Sequence, residues 1–216
     1  MTDLLDLKGR VGLVTGAGQG VGRQVALNLA EHGAGGVIVN DFYEDRAQAV
    51  AREIEEAGGR AIAVQADVTD LDAVSRMVAA GEEAFGQVDI LVNNAGNAGP
   101  SADIRDATPF WETGPEDWDK WIRVNFNGVL NATRAVLPGM VERKYGRIVT
   151  VISDAGRVGE PHLVVYSGAK AGAAGFMRGI AKAVGRYGIT VNSVALGAIE
   201  TPTTAPMMES EEARKA

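Results

Sequence analysis

The strongest constraint on the fold is a regular alternation of short apolar segments with longer amphipathic ones along the 216 residues. Repeated strand–helix–strand units build a parallel sheet with helices on both faces. The sequence therefore predicts a doubly wound α/β fold with three layers. Strands are predicted, from β-branched residues bounded by polar or glycine-rich segments, at 10–15, 36–41, 61–66, 88–93, 146–153 and 189–195. Helices are predicted at about 20–32, 44–57, 71–85, 115–138 and 166–187.

The composition suits one large domain, residues 1–216, because 46% of the residues are hydrophobic and 23% are charged. The net charge of -7 argues against a protein that binds nucleic acid through its phosphates, which would carry a basic stripe. The chain has no cysteine and two histidines, so we expect no metal site.

The first ten residues lack a cationic start followed by a long apolar stretch. No run approaches the roughly 18 apolar residues that a membrane helix needs. We therefore expect a cytoplasmic protein that does not enter a membrane. The charged end of the chain, about 203–216, is expected to be a mobile tail.

Four glycines fall within "TGAGQGVG", residues 15–22, where the first strand gives way to the first helix. Glycine is costly in regular structure, so the absent side chains must bring some other gain. We expect Gly16 to permit a tight turn, Gly20 to let the backbone approach a pyrophosphate, and Gly22 to let the helix pack on the sheet. The helix would then direct free N–H groups and its positive end at the phosphates. Asp41 ends the second strand about 20 residues further on, where a carboxylate binds the ribose hydroxyls of a dinucleotide.

A second pattern is "YSGAK", in which Tyr166 and Lys170 lie four residues apart and share one face of a predicted helix. A free tyrosine has a pKa near ~10, and a neighbouring ammonium lowers it by stabilising the phenolate. Such pairs also occur as exposed decoration of helices. Two further polar residues favour a catalytic set: Ser153 closes the fifth predicted strand, and Asn125 lies in the helix before that strand.

Together these segments resemble the short-chain dehydrogenase/reductase family from about residue 8 to about residue 202. The resemblance rests on the order and spacing of "TGAGQGVG", "ADV" at 66–68, "NNAG" at 93–96, Asn125, Ser153, "YSGAK" and "GAIET" at 197–201. It implies a Rossmann-type sheet, a nicotinamide cofactor, and hydride exchange with a carbonyl or a secondary alcohol.

Carried over by position, the resemblance implies that Tyr166 is the acid/base and that Ser153 holds the reacting oxygen. It implies that Lys170 binds the nicotinamide ribose and lowers the pKa of Tyr166, and that Asn125 supports a water relay. Asp67 and Val68 would meet the adenine. The full set of expected cofactor-binding residues is Gly16, Gln19, Gly20, Val21, Gly22, Asp41, Asp67, Val68, Asn94, Tyr166, Lys170, Ile199 and Thr201.

The expected cofactor is NAD, because Asp41 would repel a 2′-phosphate and Gln19 supplies no cation to bind one. The expected substrate is an alcohol or ketone of medium or large apolar character, such as a 3-oxoacyl thioester, a steroid-like ketone or a cyclic ketone. Family resemblance also implies a homodimer or homotetramer that pairs through the helices at 115–138 and 166–187. Small residues at 172–175 would allow close approach there.

Two alternatives remain open from the sequence. A catalytically silent dinucleotide-binding regulator would keep the glycines and Asp41, although it would not need the Ser, Tyr and Lys set. A sugar-nucleotide epimerase or dehydratase also uses a Tyr–Lys pair, but it would require a further domain. The sequence ends before the last strand and helix that the family places after its substrate loop, so a sheet without those elements is expected.

Overall fold

The structure, a computed structural model, describes residues 5–97, 108–197 and 199. Within them, a single sheet holds six parallel strands in the order β3-β2-β1-β4-β5-β6. The strands are β1 (Val11–Val14), β2 (Gly36–Asp41), β3 (Ala61–Gln65), β4 (Ile90–Asn93), β5 (Gly146–Ser153) and β6 (Ile189–Leu196). The predicted doubly wound α/β fold is confirmed, and each predicted strand is present with ends within two residues of the expected ones.

Helices cover both faces of the sheet, and hydrophobic clusters fill the space on each side. The α-helices are α1 (Gly20–Glu31), α2 (Glu44–Glu56), α3 (Leu71–Phe85), α4 (Pro115–Ile122), α5 (Gly128–Arg143), α6 (Ala155–Val158) and α7 (Val164–Val184). Strands β1, β2 and β4 are buried along their whole length, as apolar strands covered on both faces must be. The sheet thus forms the middle layer and supports the loops at its ends.

The predicted helix at 115–138 differs from the structure in two ways. It is divided by a π-helical turn, Arg123–Asn127, and it continues through Pro138 to Arg143. The prediction that it ends near residue 138 is wrong. Proline has no backbone N–H, so the carbonyl of Arg134 loses its hydrogen-bond donor at Pro138. Both residues are exposed, so water can replace that bond. The short helix α6 and a 3₁₀ turn, Phe110–Glu112, lie in segments for which no helix was predicted.

The sheet order places a reversal between β1 and β4, because the chain leaves the edge strand β3 and returns to the centre at β4. Ligands of open α/β sheets bind at such a reversal, beyond the carboxyl ends of the strands. The glycine-rich turn follows β1 at this point and the "NNAG" segment follows β4. The fold therefore brings two of the motifs to the same crevice.

No helix among the described residues is long and apolar enough to cross a membrane. Among the same residues, no group of three or more His, Asp or Glu side chains is arranged to hold a metal ion.

Candidate active site

The glycine-rich turn forms a tight connection between β1 and α1. Gly16 and Gly20 adopt φ values of +61° and +57°, a region that side chains disfavour. A Cβ on Gly22 would lie 2.3 Å from both Asn94 Nδ2 and the carbonyl oxygen of Gly16. Helix α1 begins at Gly20, and the side chain of Gln19 does not cap it, so its first N–H groups are directed towards the crevice.

Asn94 connects the loop after β4 to this turn. Its Nδ2 donates hydrogen bonds to the carbonyl oxygens of Thr15 and Gly16, at 3.0 and 2.9 Å. The hydroxyl of Thr15 in return accepts from the N–H groups of Asn94 and Ala95, each at 3.1 Å. These bonds fix the two loops relative to one another.

A cavity of about 470 Å³ lies at the carboxyl ends of β1, β2, β3 and β4. Nine of the residues expected to bind the cofactor line it: Gly16, Gln19, Gly20, Val21, Gly22, Asp41, Asp67, Val68 and Asn94. Ile199 is described but does not line this cavity, and Thr201 lies outside the described residues. The expected tail at 203–216 lies outside them as well.

Asp41 is buried, with 7% of its surface exposed, and both of its carboxylate oxygens accept backbone hydrogen bonds. Oδ2 accepts from the N–H of Gly18 and Oδ1 from the N–H of Tyr43, each at 3.0 Å. The carboxylate is therefore held rigidly at the end of β2, on the wall of the cavity.

Arg46 lines the same cavity, and the sequence analysis missed it. Its guanidinium lies 4.4 Å from the centre of the Tyr43 ring, a cation–π contact, and it has no ion pair among the residues that the structure describes. The only sequence signal was a basic residue in the first turn of the helix after Asp41. The cavity thus presents both a fixed anion and a cation near the end of β2.

Asp67 and Val68 form the far wall of the cavity. Oδ1 of Asp67 accepts from the N–H of Thr69 at 2.8 Å, and the carbonyl of Val68 accepts from Asn131 Nδ2 at 2.9 Å. Their backbone is held from both sides, so the wall has a defined shape.

Three of the four expected catalytic residues come together around β5 and α7. Ser153 is the last residue of β5, where its Oγ accepts from the N–H of Ala155 at 3.2 Å, and its side chain lies beside that of Tyr166 on α7. Lys170 lies one helical turn after Tyr166, and its Nζ is 5.8 Å from the centre of the tyrosine ring. This ammonium donates to the carbonyl of Val151 at 3.0 Å, and only 4% of the residue is exposed.

The fourth, Asn125, is fully buried in the π-helical turn. Its Nδ2 donates to Trp121 O at 3.0 Å and to Asn97 Oδ1 at 2.8 Å, and its Oδ1 accepts from Asn97 N–H at 3.3 Å. Sequence analysis missed Asn97, since nothing in its local pattern distinguishes it.

Gly96 lines the cavity and also lies next to two of the expected catalytic residues. A Cβ at this position would lie 2.9 Å from Asn125 Oδ1 and 3.2 Å from Lys170 Nζ. Both side chains therefore reach the end of the cavity, and a larger residue at position 96 would collide with them.

Burial governs the protonation of the pair on α7. Burial raises the pKa of Tyr166 above its ordinary value, and the hydrogen bond with Ser153 partly offsets this. Burial also lowers the pKa of Lys170 to about 8. The expected lowering of the tyrosine pKa by Lys170 is not the dominant effect in this structure, because desolvation of the phenolate outweighs the other influences on Tyr166.

Comparison with known proteins identifies the family of the chain. The family model described as "short chain dehydrogenase" matches residues 10–212. The chain belongs to the short-chain dehydrogenase family. Its members are oxidoreductases, and this chain is an enzyme of that class, as the sequence predicted.

Individual members of the family are similar to this chain over most of its length. It is 40% identical to the (2S)-[(R)-hydroxy(phenyl)methyl]succinyl-CoA dehydrogenase subunit BbsD of Thauera aromatica, over 96% of this chain and 80% of that protein. It is 41% identical to a 3-oxoacyl-[acyl-carrier-protein] reductase of Synechocystis sp., over 92% of this chain and 77% of the relative. A 3-oxoacyl-[acyl-carrier protein] reductase of Brucella melitensis, solved with bound NAD, superposes with a TM-score of 0.84 at 34% identity, covering 95% of this chain and 77% of that one.

Proposed function

We propose that this short-chain dehydrogenase exchanges hydride between NAD(H) and a secondary alcohol or ketone, with Tyr166 as the acid/base. The observation that carries the proposal is the junction at Gly96. There the nucleotide-sized cavity ends beside Lys170 and Asn125, and Lys170 is one turn from Tyr166.

Several features of the cavity support a dinucleotide as its ligand. The glycine-rich turn lines it, α1 begins there with free N–H groups that can meet a pyrophosphate, and the carboxylate of Asp41 on its wall can accept from ribose hydroxyls. Asp67, Val68 and Asn94, which are also expected to bind the cofactor, lie on the other walls.

The catalytic residues would act on the oxygen of the substrate. NAD⁺, when bound, supplies the hydride acceptor. In alcohol oxidation Tyr166 accepts the hydroxyl proton, and in ketone reduction the same phenol donates it. Ser153 donates a hydrogen bond to the same oxygen, where negative charge grows in the transition state. Its side chain lies close enough to Tyr166 to influence the pKa of the phenol, which supports a shared role at this oxygen.

Lys170 and Asn125 would support this step from the cofactor side. A lysine held at the end of the cavity is placed to bind the nicotinamide ribose, and its charge favours the phenolate of Tyr166. Asn125 fixes the loop at Asn97 and offers polar atoms for a water relay.

NAD(H) is the proposed cofactor in preference to NADP(H), because the buried carboxylate of Asp41 repels a 2′-phosphate. Arg46 opposes this effect, so we expect residual use of NADP(H). The proposed substrates follow the relatives, two of which are named for an acyl-thioester alcohol and a 3-oxoacyl group. The enzyme is proposed to be a cytoplasmic homodimer or homotetramer.

The test is NADH formation with a panel of secondary alcohols, including a 3-hydroxyacyl thioester, a cyclic alcohol and a steroid alcohol. Oxidation of at least one that is lost in Tyr166→Phe supports the proposal. A chain that binds NADH tightly but oxidises none of them would be the silent regulator instead.

A further inference from the structure

All three tryptophans of the chain lie within eleven residues, at positions 111, 118 and 121. Trp118 stacks on Phe110 at 5.4 Å, and its Nε1 donates to Thr113 Oγ1 at 2.8 Å, so it holds its own segment together. Trp111 is 81% exposed and has no ring partner among the described residues. Of the three tryptophans, only Trp121 has a ring contact with an expected catalytic residue, Tyr166. Neither packing within its own segment, as for Trp118, nor exposure to solvent, as for Trp111, explains this contact.

The indole of Trp121 packs edge-on against the ring of Tyr166, with the ring centres 6.0 Å apart and the planes 68° apart. It is half-buried, so part of the residue is exposed. The indole therefore lies directly beside the ring of Tyr166, where it can contact a substrate group bound alongside that ring.

The position of Trp121 is fixed by two hydrogen bonds to its own turn of helix. Its carbonyl oxygen accepts from Asn125 Nδ2 at 3.0 Å, and that of Lys120 accepts from Asn97 Nδ2 at 3.2 Å. Both donors belong to the loop and turn that border the cofactor cavity. These bonds fix the backbone of the helical turn that carries the indole.

The chemistry of the reaction brings the substrate to this indole. Tyr166 must reach the oxygen of the reacting carbon, so one substituent of that carbon lies alongside the ring of Tyr166. An aromatic substituent there gains the offset or edge-to-face attraction between rings beyond the burial of its area. A saturated ring of the same size gains the burial alone.

We propose that Trp121 makes the enzyme selective for alcohols and ketones whose reacting carbon carries an aryl ring. This inference rests on the proposed function, since it concerns the same reaction. The expected preference is about 5- to 10-fold in kcat/KM, in the upper part of the range that one aromatic pair supports.

The first test compares 1-phenylethanol with 1-cyclohexylethanol, which differ in aromaticity and little in size, by NADH formation. Wild type is expected to prefer the phenyl alcohol. Trp121→Leu should lower the phenyl-to-cyclohexyl ratio of kcat/KM by about 5-fold or more, and Trp121→Phe should keep it within about 2-fold. Trp111→Leu makes the same chemical change at an exposed position and should leave the ratio unchanged.

A second test does not depend on turnover. In the Tyr166→Phe background with NADH bound, the dissociation constants of acetophenone and cyclohexyl methyl ketone are measured by calorimetry, with and without Trp121→Leu. Tighter binding of acetophenone that disappears with Trp121 supports the proposal. Equal binding of the two ketones, or equal loss in the Trp111→Leu control, overturns it.

The experiments can refute the aryl preference and the proposed dehydrogenase reaction independently. If wild type oxidises both alcohols equally well, the aryl preference is wrong and the dehydrogenase assignment stands. If it oxidises no alcohol of any class, the proposed reaction is wrong, and the ketone-binding comparison alone decides the role of Trp121.

Discussion

At the scale of single residues, the proposal depends most on Tyr166. Tyr166→Phe keeps the ring that packs on Trp121 but removes the proton carrier. We expect turnover to fall roughly 100-fold or more, the usual contribution of general acid–base catalysis, while the affinity for NADH stays within about 2-fold. Steady-state kinetics measures the turnover, and the fluorescence of bound NADH measures its affinity. Tyr187→Phe, in the turn after α7, is the matched control, and a Tyr166→Phe variant that keeps most of its activity would refute the role.

The buried ammonium of Lys170 makes a prediction about stability. Its pKa of about 8 in the folded protein lies below the ordinary 10.5, so between these pH values the unfolded chain binds more protons at this residue. The free energy of unfolding should therefore rise with pH across that window because of Lys170. Relative to Lys170→Met, a protein that retains Lys170 should gain on the order of 3 kcal/mol between pH 8 and 10.5.

Urea denaturation of both proteins at several pH values measures this difference. Both proteins carry Tyr166→Phe in this comparison, because the phenol lies beside Lys170 and would titrate differently in the two. The contributions of the other titrating groups are common to both proteins and cancel. A difference that stays constant from pH 8 to 10.5 would show that Lys170 is not desolvated in the folded protein.

In the proposed function, two residues of opposite charge, Asp41 and Arg46, set the choice of cofactor. Wild type should have a higher kcat/KM with NAD⁺ than with NADP⁺, because Asp41 is fixed by two backbone N–H groups and cannot turn away. Arg46→Ala should raise this preference further by removing the only cation that lines the described cavity wall. Asp41→Ala should lower it. If Arg46→Ala leaves the NADP⁺ activity unchanged, the guanidinium does not bind the 2′-phosphate.

At the scale of elements, the start of α1 depends on a glycine that has no room for a side chain. A Cβ on Gly22 would lie 2.3 Å from the backbone oxygen of Gly16, so Gly22→Ala must displace the turn. We expect at least about a 10-fold loss of NADH affinity, since misplaced N–H groups no longer meet the phosphates. Gly185→Ala is the control, because that residue has helical φ and ψ and open space around it. Similar losses in both variants would contradict the argument.

Helices and strands could be predicted from the sequence where a single local pattern determines them. The apolar runs of β1, β2 and β4 and the glycines between β1 and α1 carry their own signals. Asp41 was found from its distance in sequence to these glycines, and Lys170 from its spacing to Tyr166. The π-helical turn at Asn125 was not predictable, because one added residue per turn hardly changes the apolar periodicity. Sequence analysis missed Asn97 and Trp121 because their partners, Asn125 and Tyr166, lie in other segments of the chain. It missed Arg46 because the contact with Tyr43 has no sequence signature.

At the scale of the whole molecule, the expected assembly uses α5 and α7. Only two of the four small residues expected at the interface lie near the surface of the protomer. Ala173 and Ala174 are buried in the core, whereas Gly172 and Gly175 are partly exposed. A long charged residue at position 175 has space within the protomer but would block close approach of a second helix. Light scattering should therefore show a dimer or tetramer for wild type and a smaller species for Gly175→Arg. A monomeric wild type would contradict the assembly.

The order of the strands also separates two tasks along the chain. The glycine-rich turn, Asp41 and Asp67 follow β1, β2 and β3, whereas Ser153, Tyr166 and Trp121 come from the half built on β5 and its neighbours. The two halves share a border at β1 and β4. In the proposed function, mutations that change the choice between NAD(H) and NADP(H) and mutations that change the alcohol therefore fall in different stretches of sequence. Natural selection, or a laboratory recombining gene halves, can exchange one specificity while inheriting the other intact.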